Sequence, residues 1–438
     1  MKQFGATRDA RTMLIAAAFI AAAVAAPTGR SAELAVSGRS SANASVAASG
    51  QFVAIAWGAA DPEGVTDVYL AASTDGGQTF GSPTRVNDAG SQASLSGEQP
   101  PRVALVPRAG RDPSIVVVWT AKAASGTRLL SARSDDGGRS FGGFKALPGS
   151  DAPGNRGWQA IAADRNGRVV AIWLDHREAA RGGGAAGETN HAGHDPAAHA
   201  AQQRDGVARA QLSRLFFARV DGSAAGARAL TGGVCYCCKT ALAAGADGSL
   251  YAAWRHVYPG NVRDIAFTMS RDGGVAFAPP MRVSDDRWVL DGCPENGPAL
   301  AVDDRRRVHV VWPTLVAGSA PGSEPTLALF HAMSADGRRF ATRERIPTEG
   351  VPRHPQIALG PPGAIVVTWD EQVDGRRRVV LGRGVVDDRG SLRLARQIVG
   401  DGARAMYPVV AATSDAMVAA WTSGPAETSV IRVERVPD

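Results

Sequence analysis

Seven short apolar runs that each end in tryptophan recur along this 438-residue chain. They are FVAIAW, SIVVVW, RVVAIW, SLYAAW, RVHVVW, AIVVTW and AMVAAW, which end at Trp57, Trp119, Trp173, Trp254, Trp312, Trp369 and Trp421. Successive tryptophans lie 62, 54, 81, 58, 57 and 52 residues apart. Because a period of roughly 50 residues with β-branched runs is typical of propeller blades, the repeat predicts an all-β chain folded as a seven-bladed β-propeller.

Each repeat contains further apolar runs in a fixed order. In the second repeat, RVALV precedes the tryptophan run and RLLSARS follows it. We expect these runs to be the first and third strands of a four-stranded blade, with the tryptophan run as the second. The last repeat ends with its third strand, SVIRVERV (Ser429–Val436), and ELAVSG (Glu33–Gly38) can supply the missing fourth strand. The N-terminal strand would then close the ring.

A turn of fixed composition follows the third strand in four repeats. It reads STDGGQTF (Ser73–Phe80), SDDGGRSF (Ser134–Phe141), SRDGGVAF (Ser270–Phe277) and a shortened SADGRRF (Ser334–Phe340). Serine and aspartate side chains can accept hydrogen bonds from nearby backbone amides, glycine tolerates positive φ, and the phenylalanine can wedge between neighbouring sheets. The pattern Ser-x-Asp-x-Gly-x-x-Phe therefore predicts a hairpin between the third and fourth strands.

On these turns the chain resembles the sialidase superfamily, whose Asp-box (BNR) repeats have this form. The resemblance implies a β-propeller over nearly the whole chain, with the six blades of sialidases as the alternative to seven. It does not imply sialidase activity, because Asp boxes are structural in that superfamily. A sialidase also needs three arginines, a Tyr/Glu pair and an aspartic acid. Its Arg-Ile-Pro motif near the start of the domain has no match, since the RIP at Arg345–Pro347 falls in a predicted fourth strand.

The start of the chain is typical of an export signal. A basic opening precedes the apolar run Met13–Ala26, and small residues stand at Ala26 and Ala32. We therefore expect residues 1–32 to be a signal peptide, cleaved after one of these alanines, and residues 33–438 to form one propeller domain. The protein is then periplasmic or secreted in a bacterium. No later run approaches the roughly 18 apolar residues of a membrane span.

The net charge gives no indication of a nucleic-acid partner. The whole chain carries +6, and removal of the predicted signal takes away a net +3 and leaves about +3. The arginines are scattered without the aromatic interleaving of a surface that follows a phosphate backbone. We expect a monomer that binds no nucleic acid.

Three of the four cysteines fall within four positions. Cys235, Cys237 and Cys238 lie in VCYCCKTALAAG, and Cys293 lies in GCPENGP. Both segments precede the first strand of a blade, in blades 4 and 5. In an up-and-down blade such connections lie on the face opposite the Ser-x-Asp turns, so we expect all four thiols to meet at one point of the channel mouth.

Two interpretations of this cluster remain open. Disulfides are the usual state of cysteine in an exported protein, and pairing Cys293 with one member of the cluster would staple blades 4 and 5. The other two cysteines are then close neighbours in sequence, where a disulfide is strained. We therefore predict that at least two thiols are reduced or bound to a metal, copper(I) or zinc(II). Candidate further ligands are His176, His256, His354 and Met406.

Other residues at the same face are candidates for binding or catalysis. The candidates for binding a small ligand or a glycan are Arg156, Trp158, Arg353 and Arg404. The candidate catalytic residues of a glycosidase are Tyr407, Asp175 and Glu295. Carboxylates in loops are commonly just solvated, which weakens the enzymatic interpretation.

Blade 3 carries an insertion. The longest interval between repeat tryptophans contains a Gly/Ala-rich segment, about residues 178–209, with His191, His194 and His199. Its polarity predicts a flexible loop, with metal capture by the histidines as the alternative. His309 and His331 fall in predicted strands, where we expect them to pack.

These patterns together predict an exported binding protein with its site at the channel mouth and a metal ion held by the cysteines. A sialidase-like exo-glycoside hydrolase is the first alternative. A protein-interaction platform, in which the cysteines form structural disulfides, is the second.

Overall fold

Seven four-stranded antiparallel sheets form a closed ring in the computed structural model of the chain. The structure describes Met1 and residues 30–437, apart from Arg165, 182–206, 223–225, Asp291, 319–321, 361–362 and Ala403. The prediction of seven blades is confirmed, and the six-bladed alternative is wrong. Most of the predicted signal, and the three histidines His191, His194 and His199, lie outside the described residues.

The first strand, β1 (Arg30–Leu34), belongs to the last blade, and blades 1 to 3 follow it in chain order. Blade 1 contains β2 (Ser40–Ser49), β3 (Phe52–Ala60), β4 (Thr66–Ser73) and β5 (Thr84–Arg85). Blade 2 contains β6 (Arg102–Arg108), β7 (Arg111–Ala123), β8 (Gly126–Ser134) and β9 (Gly142–Ala146). Blade 3 contains β10 (Arg156–Ala163), β11 (Val169–Asp175), β12 (Arg214–Arg219) and β13 (Arg228–Gly232). The short helix α1 (Arg177–Arg181) follows β11, and residues 207–212 are also helical.

Blades 4 to 7 repeat the same arrangement. Blade 4 contains β14 (Ala241–Ala244), β15 (Leu250–Arg255), β16 (Ile265–Ser270) and β17 (Met281–Arg282). Blade 5 contains β18 (Ala299–Val302), β19 (Val308–Val316), β20 (Thr326–Ser334) and β21 (Glu344–Ile346). Blade 6 contains β22 (Val351–Gly360), β23 (Ala364–Val373), β24 (Arg376–Val386) and β25 (Leu392–Gly402). Blade 7 contains β26 (Met406–Ala412), β27 (Ala416–Ser423) and β28 (Val430–Pro437), with a 3-10 turn at Ala426–Thr428 before β28. Among the described residues, no helix is both long and apolar enough to cross a membrane.

The ring closes through its first strand. Strand β1 pairs with β28, so that Glu33 lies opposite Arg432, and it supplies the fourth strand of blade 7. The prediction of ring closure is confirmed, but the strand begins at Arg30 and ends at Leu34 rather than running from Glu33 to Gly38. A turn ends it, because the Arg39 amide bonds to the Val36 carbonyl and Gly38 has φ of +74°.

The repeat tryptophans form the core between the blades. Six of them are at most 1% exposed and Trp421 is 5% exposed. The hydrophobic clusters join neighbouring sheets, as where Phe52 of blade 1 and Trp119 of blade 2 share one cluster, or Trp57 of blade 1 and Val418 of blade 7 another. The tryptophan strand is therefore apolar on both faces, which explains the continuous apolar runs of the repeat.

The Ser-x-Asp turns have the local structure that their composition predicts. In the first turn the Gly77 amide donates to Ser73 Oγ at 2.9 Å, and the amides of Gln78 and Thr79 donate to Asp75 Oδ1. The same serine–glycine bond recurs at Ser134, at Ser270 and in the shortened turn at Ser334. Three of the four turns therefore close with one repeated pattern, and the fourth keeps its serine bond.

The second glycine of each full turn is required by its close approach to the preceding blade. A Cβ atom at Gly77, where φ is +84°, would lie 2.8 Å from Val418 of blade 7. A Cβ atom at Gly274, where φ is +90°, would lie 2.3 Å from the Phe217 ring of blade 3. Phe277 of the same turn stacks edge-on against Phe217 with centroids 5.1 Å apart. The turns thus close a hairpin and also fit each blade against its neighbour.

Candidate functional site at the channel mouth

The end of the channel opposite the Ser-x-Asp turns is named here the cysteine mouth. It is built from the connections into the innermost strands and is marked by Asn43, Glu98, Trp158, Lys239, Gly297, His354 and Tyr407. In blades 1, 3, 6 and 7 the innermost strand begins with a bulge, in which two residues lie opposite one repeat tryptophan. Bulges re-aim side chains and are frequent beside functional sites.

The first residue of each of these bulges has a left-handed backbone. The values of φ are +61° at Asn43, +52° at Trp158, +49° at His354 and +54° at Tyr407. This conformation is unfavourable for bulky side chains and persists only where the surrounding structure imposes it. Four blades therefore hold strained residues at equivalent positions around one opening, which sequence patterns of strands and turns do not reveal.

A hydrogen-bond network crosses the channel at this mouth. Glu98, from the connection into blade 2, accepts from the backbone amides of Lys239 in blade 4 and Gly297 in blade 5, at 2.9 and 2.8 Å. Lys239 Nζ in turn donates to the carbonyl oxygen of Pro355 in blade 6 at 2.5 Å. These bonds connect non-adjacent blades and fix the diameter of the ring at its cysteine end.

A cavity of about 210 Å³ occupies the channel and is lined by the innermost strands of all seven blades. Most of its lining residues have aliphatic side chains, although the surface presented to the cavity is mainly polar, and Arg102 and Lys239 are also part of its lining. Burial lowers the pKa of Arg102 to about 10 and that of Lys239 to about 8, against an opposing effect of the Glu98 carboxylate. The lining of the channel therefore contains two cations, of which Lys239 is buried and Arg102 is partly buried.

A histidine–aspartate pair lies beside this network. His354 Nδ1 is 2.6 Å from Asp370 Oδ1, and the His354 ring packs on Tyr407 with centroids 4.1 Å apart. The same carboxylate oxygen accepts from the Tyr407 amide at 3.2 Å. Burial, with the charges of Glu98, Glu295 and Asp370, raises the pKa of the Tyr407 phenol, so the phenol is neutral at physiological pH.

The cysteines meet where the topology predicts. Cys237 forms a disulfide with Cys293 that links blades 4 and 5, while Cys235 and Cys238 remain free and buried. Cys235 Sγ lies 3.7 Å from Cys238 Sγ and 3.9 Å from Cys237 Sγ. The sulfur atoms of the three clustered residues all lie within 4.8 Å of one another. The cluster therefore contains one disulfide between blades and one pair of free thiols.

The thiol pair has an asymmetric electrostatic environment. The hydrogen bond from Cys238 lowers the pKa of Cys235 to about 6, and the charges of Arg263 and Arg255 act in the same direction against burial. Arg263 Nη1 lies 3.2 Å from Cys235 Sγ. Burial and the neighbouring Cys235 raise the pKa of Cys238. These effects favour the thiolate on Cys235 and the proton on Cys238.

The histidines and the methionine proposed as further ligands lie around the mouth in separate contacts. His176 Nδ1 is 2.8 Å from Ser213 Oγ, and its ring packs edge-on against Trp158. His256 packs against Tyr258, and Met406 pairs with Thr422 at the start of its strand. Among the described residues, the one cluster with metal-ligand geometry contains only Cys235, Cys237 and Cys238. Participation of the histidines and Met406 stays a prediction.

The arginine candidates differ in their surroundings. Arg156 is 1% exposed, and its guanidinium contacts Asp175 Oδ2 at 3.3 Å and three backbone carbonyls. Arg353 lies opposite Asp370 in the register of blade 6, and Arg404 is exposed just before β26. Arg156 therefore supports the packing of blade 3, and a ligand-binding role for it, for Trp158, for Arg353 and for Arg404 stays a prediction.

Of the two candidate carboxylates that we expected to be solvated, Asp175 is buried, whereas Glu295 is partly exposed. Asp175 is fully buried and accepts hydrogen bonds from the Trp173 indole at 3.0 Å and from Arg177 Nη2 at 2.7 Å. Glu371 bonds the Trp369 indole in the same way at 3.0 Å. An acidic residue two positions after the tryptophan thus satisfies its indole N–H, which explains why loop carboxylates at this position are not free. Of the other catalytic candidates, Tyr407 lies at the mouth as described, and Glu295 has φ of +45°.

Sequence reasoning missed two residues of the mouth, Lys239 and Arg263. Lys239 is one of only four lysines in the chain and directly follows the cysteines. Its rarity was the sequence feature that could have marked it as a candidate site residue. The bond from its amide to Glu98 spans 141 residues of sequence, so no local pattern marks it. Arg263, which contacts the Cys235 thiolate, comes from the segment before β16 and carries no motif.

Comparison with known proteins supports the fold. No protein-family model and no curated protein matches this chain. The GH93 α-L-arabinofuranosidase of Fusarium graminearum, solved with arabinobiose, is 11% identical with a TM-score of 0.51, over 94% of this chain and 97% of that chain. The α-L-arabinanase of Penicillium chrysogenum, also with arabinobiose, is 12% identical with a TM-score of 0.50, over 94% and 98%. A PL25 ulvan lyase is 10% identical with a TM-score of 0.54, over 91% and 94%. At these identities the likeness shows a shared fold alone.

Proposed function

We propose that this chain is an exported binding protein that holds one copper(I) ion between Cys235 and Cys238 at the cysteine mouth. The observation that carries the proposal is the pairing of two free, buried thiols whose sulfur atoms lie 3.7 Å apart. Soft thiolates select copper(I), which accepts as few as two ligands. The two sulfur ligands therefore match copper(I) both in their softness and in the number of ligands that the ion needs.

The disulfide favours copper over zinc. Structural zinc takes four ligands in a tetrahedron, and the cluster holds four cysteines in total. Two of them, Cys237 and Cys293, are consumed by the disulfide and offer no thiolate. Zinc would need two further ligands such as histidines, and among the described residues no histidine lies within the cysteine cluster, whereas copper(I) needs only the two thiols that remain.

The surroundings of the pair favour a deprotonated ligand. Arg263 Nη1 lies 3.2 Å from Cys235 Sγ, and its charge lowers the pKa of that thiol and favours the thiolate that a metal ion binds. Cys238 must lose its proton when the ion binds, and copper affinity therefore increases with pH. Both thiols are at most 2% exposed, which protects the bound ion and the sulfur from oxidants.

The sialidase-like alternative has less support. Its chemistry needs three arginines that converge on one carboxylate group of the substrate. Arg156 and Arg177 both bind Asp175, whereas Arg255 binds the carbonyl oxygens of Asn296 and Pro313 in blade 5. These guanidinium groups are occupied by the protein itself. The fold shared with carbohydrate-active propellers leaves glycan binding as a proposal for the mouth but supplies no catalytic group.

Copper titration tests the proposal. Protein purified without reductant is titrated anaerobically with copper(I) against a chromophoric copper(I) chelator, and thiols are counted after denaturation in chelator. We expect one copper per chain and two free thiols. Cys235→Ser and Cys238→Ser should each weaken binding by at least about 100-fold, since each removes one of two ligands.

The matched control removes the disulfide instead. The double variant Cys237→Ser, Cys293→Ser keeps the thiol pair and should still bind one copper, although the loss of a staple lowers its stability. Two outcomes would contradict the proposal. One is four oxidised cysteines with no stoichiometric copper, and the other is copper binding that Cys235→Ser leaves unchanged.

A further inference from the structure

We propose that the central channel binds a small organic carboxylate, which Arg102 and Lys239 hold through their unused N–H groups. This site is distinct from the thiol pair and does not depend on copper binding. Its basis is the placement of two cations in one cavity that all seven blades enclose.

Arg102 and Lys239 are unusual because most residues that line this cavity are aliphatic. The innermost strands line the cavity mainly with aliphatic residues such as Val103, Ile161 and Leu300. Placing a guanidinium and an ammonium group together among such residues costs desolvation energy and mutual repulsion. Propeller closure does not require either charge, because the corresponding lining positions of other blades are uncharged. A bound anion would offset both costs.

Both cations keep donors that the protein does not use. Arg102 Nε donates to the Gln159 carbonyl oxygen at 2.8 Å, while Nη1 and Nη2 form no hydrogen bond with any described residue. Lys239 Nζ donates to the Pro355 carbonyl oxygen and has two further N–H groups without a partner among those residues. The two free nitrogens of a guanidinium group match the two oxygens of a carboxylate.

Glu98 does not neutralise the site. Its Oε2 accepts from two backbone amides, and no contact within ion-pair distance joins its carboxylate to Arg102 or Lys239 among the described residues. It attracts both cations through space. Asp370 also attracts Lys239, but its carboxylate lies 2.6 Å from His354 Nδ1 and 3.5 Å from Arg377 Nε, so the charge of Arg102, Lys239 and Glu98 together is positive by one. One monovalent anion brings this sum to zero.

The size and lining of the cavity favour an organic acid over a simple inorganic anion. A volume of about 210 Å³ corresponds to roughly seven water molecules, more than a single small anion fills. Two uncharged polar residues, Ser45 and Gln356, are among the lining residues. These groups suit the hydroxyl groups of a hydroxy acid or a sugar acid.

Calorimetric titration of the full chain tests the inference. The probes are malate and glucuronate as carboxylates, glucose as a neutral match for glucuronate, and phosphate and sulfate as inorganic anions. We expect heat of binding with at least one carboxylate and none with glucose. Arg102→Gln and Lys239→Gln should each weaken that binding roughly tenfold or more, because each removes a charge-assisted hydrogen bond.

The matched control is Arg108→Gln, which removes an arginine from the other end of the same strand, where Arg108 binds the Asp112 carbonyl. It should leave binding unchanged, and Arg102→Lys should retain part of the affinity because it keeps the charge. Thermal unfolding of each variant separates lost binding from lost folding.

Three results would overturn the inference. Absence of binding by both carboxylates would remove the ligand class. Binding of phosphate or sulfate alone would make this an inorganic anion site. Carboxylate binding that survives Arg102→Gln and Lys239→Gln in folded protein would place the ligand elsewhere. Each result is independent of copper, because the titrations use metal-free protein.

Discussion

At one end of the propeller, Ser73, Ser134 and Ser270 each accept a hydrogen bond from a glycine amide at 2.8–2.9 Å. At the other end, the corresponding connections share a backbone bulge in four blades but carry asparagine, tryptophan, histidine and tyrosine at its first position. The first end repeats side chains as well as geometry, whereas the second repeats geometry alone. This contrast separates residues that close blades from residues that vary around an opening, and it makes the cysteine mouth the candidate site of function.

Acid should act on the two ends differently. Burial lowers the pKa of His176 and of His256, both near the mouth, to about 4, and that of His331 inside blade 5 to about 3. These histidines are neutral in the folded chain and gain protons near pH 6.5 when it unfolds. At the turns, burial raises the pKa of Asp75, but hydrogen bonds from Thr79 and Ser73 lower it to about 2.

The histidine contribution is complete above pH 6.5 and is lost as the pH falls from 6.5 toward 4, because the unfolded state then binds more protons. We expect the free energy of unfolding, measured with urea, to fall by on the order of 5 kcal/mol between about pH 7 and pH 5 for the three histidines together. The His256→Phe variant should show a smaller fall. Equal stability at the two pH values would mean that the histidines are hydrated in the folded chain.

Removal of the Asp175 carboxylate tests whether the acidic residues of the mouth are structural. The Asp175→Ala variant leaves the buried Arg156 guanidinium without its anion and the Trp173 indole without its acceptor. We expect a loss of about 3–5 kcal/mol in the free energy of unfolding, measured by urea denaturation. The control Asp388→Ala removes a carboxylate that is 92% exposed and should change stability by less than about 0.5 kcal/mol. A stable Asp175→Ala protein would return this residue to the catalytic candidates.

The smallest effect concerns the turns. Ser134→Ala removes the acceptor of the Gly138 amide and one partner of Asp136, and we expect it to cost about 1 kcal/mol of stability. Ser73→Ala and Ser270→Ala should cost the same within about 0.5 kcal/mol, because their hydrogen bonds are equivalent. Thermal denaturation of the three variants measures this, and copper titration should show no change in any of them. A turn variant that loses copper would show that the two ends are coupled.

The repeat made the architecture predictable. An apolar run that ends in tryptophan predicts a strand that is covered on both faces. Because the covering sheets are the adjacent blades, seven such runs predict seven blades in a ring. Strand alternation then placed Cys293 beside the CYCC segment, although 56 residues separate it from Cys237. Which cysteine it pairs with was not predictable, because that depends on side-chain directions within a tight turn.

The position of the cysteine mouth was predictable from the sequence, but its backbone conformation, hydrogen bonds and burial were not. The left-handed backbone of Trp158, His354 and Tyr407 is imposed by bulges opposite the repeat tryptophans. Unlike glycine, these residue types do not predict a positive φ from the sequence. The Glu98 network depends on the ring diameter, since its bond to Gly297 spans 199 residues. Burial of Asp175 was missed because its partner is an indole N–H two residues away inside the blade.

The pairing of β1 with β28 makes the order of the blades circular. Arg30 lies opposite Arg435, so a short peptide could join the start of β1 to the end of β28. New chain ends could then be opened in any exposed turn, and every contact between blades would be kept. In the natural order, blade 7 is completed only when β28 pairs with β1, the described strand that is farthest from it in the sequence. Until this pairing forms, the flank of blade 1 that shares a cluster with Ile431 and Val433 of β28 lacks their cover. Ring closure is therefore expected to be the final event of folding, and a permuted chain that begins between blades 3 and 4 would move that event to a different seam.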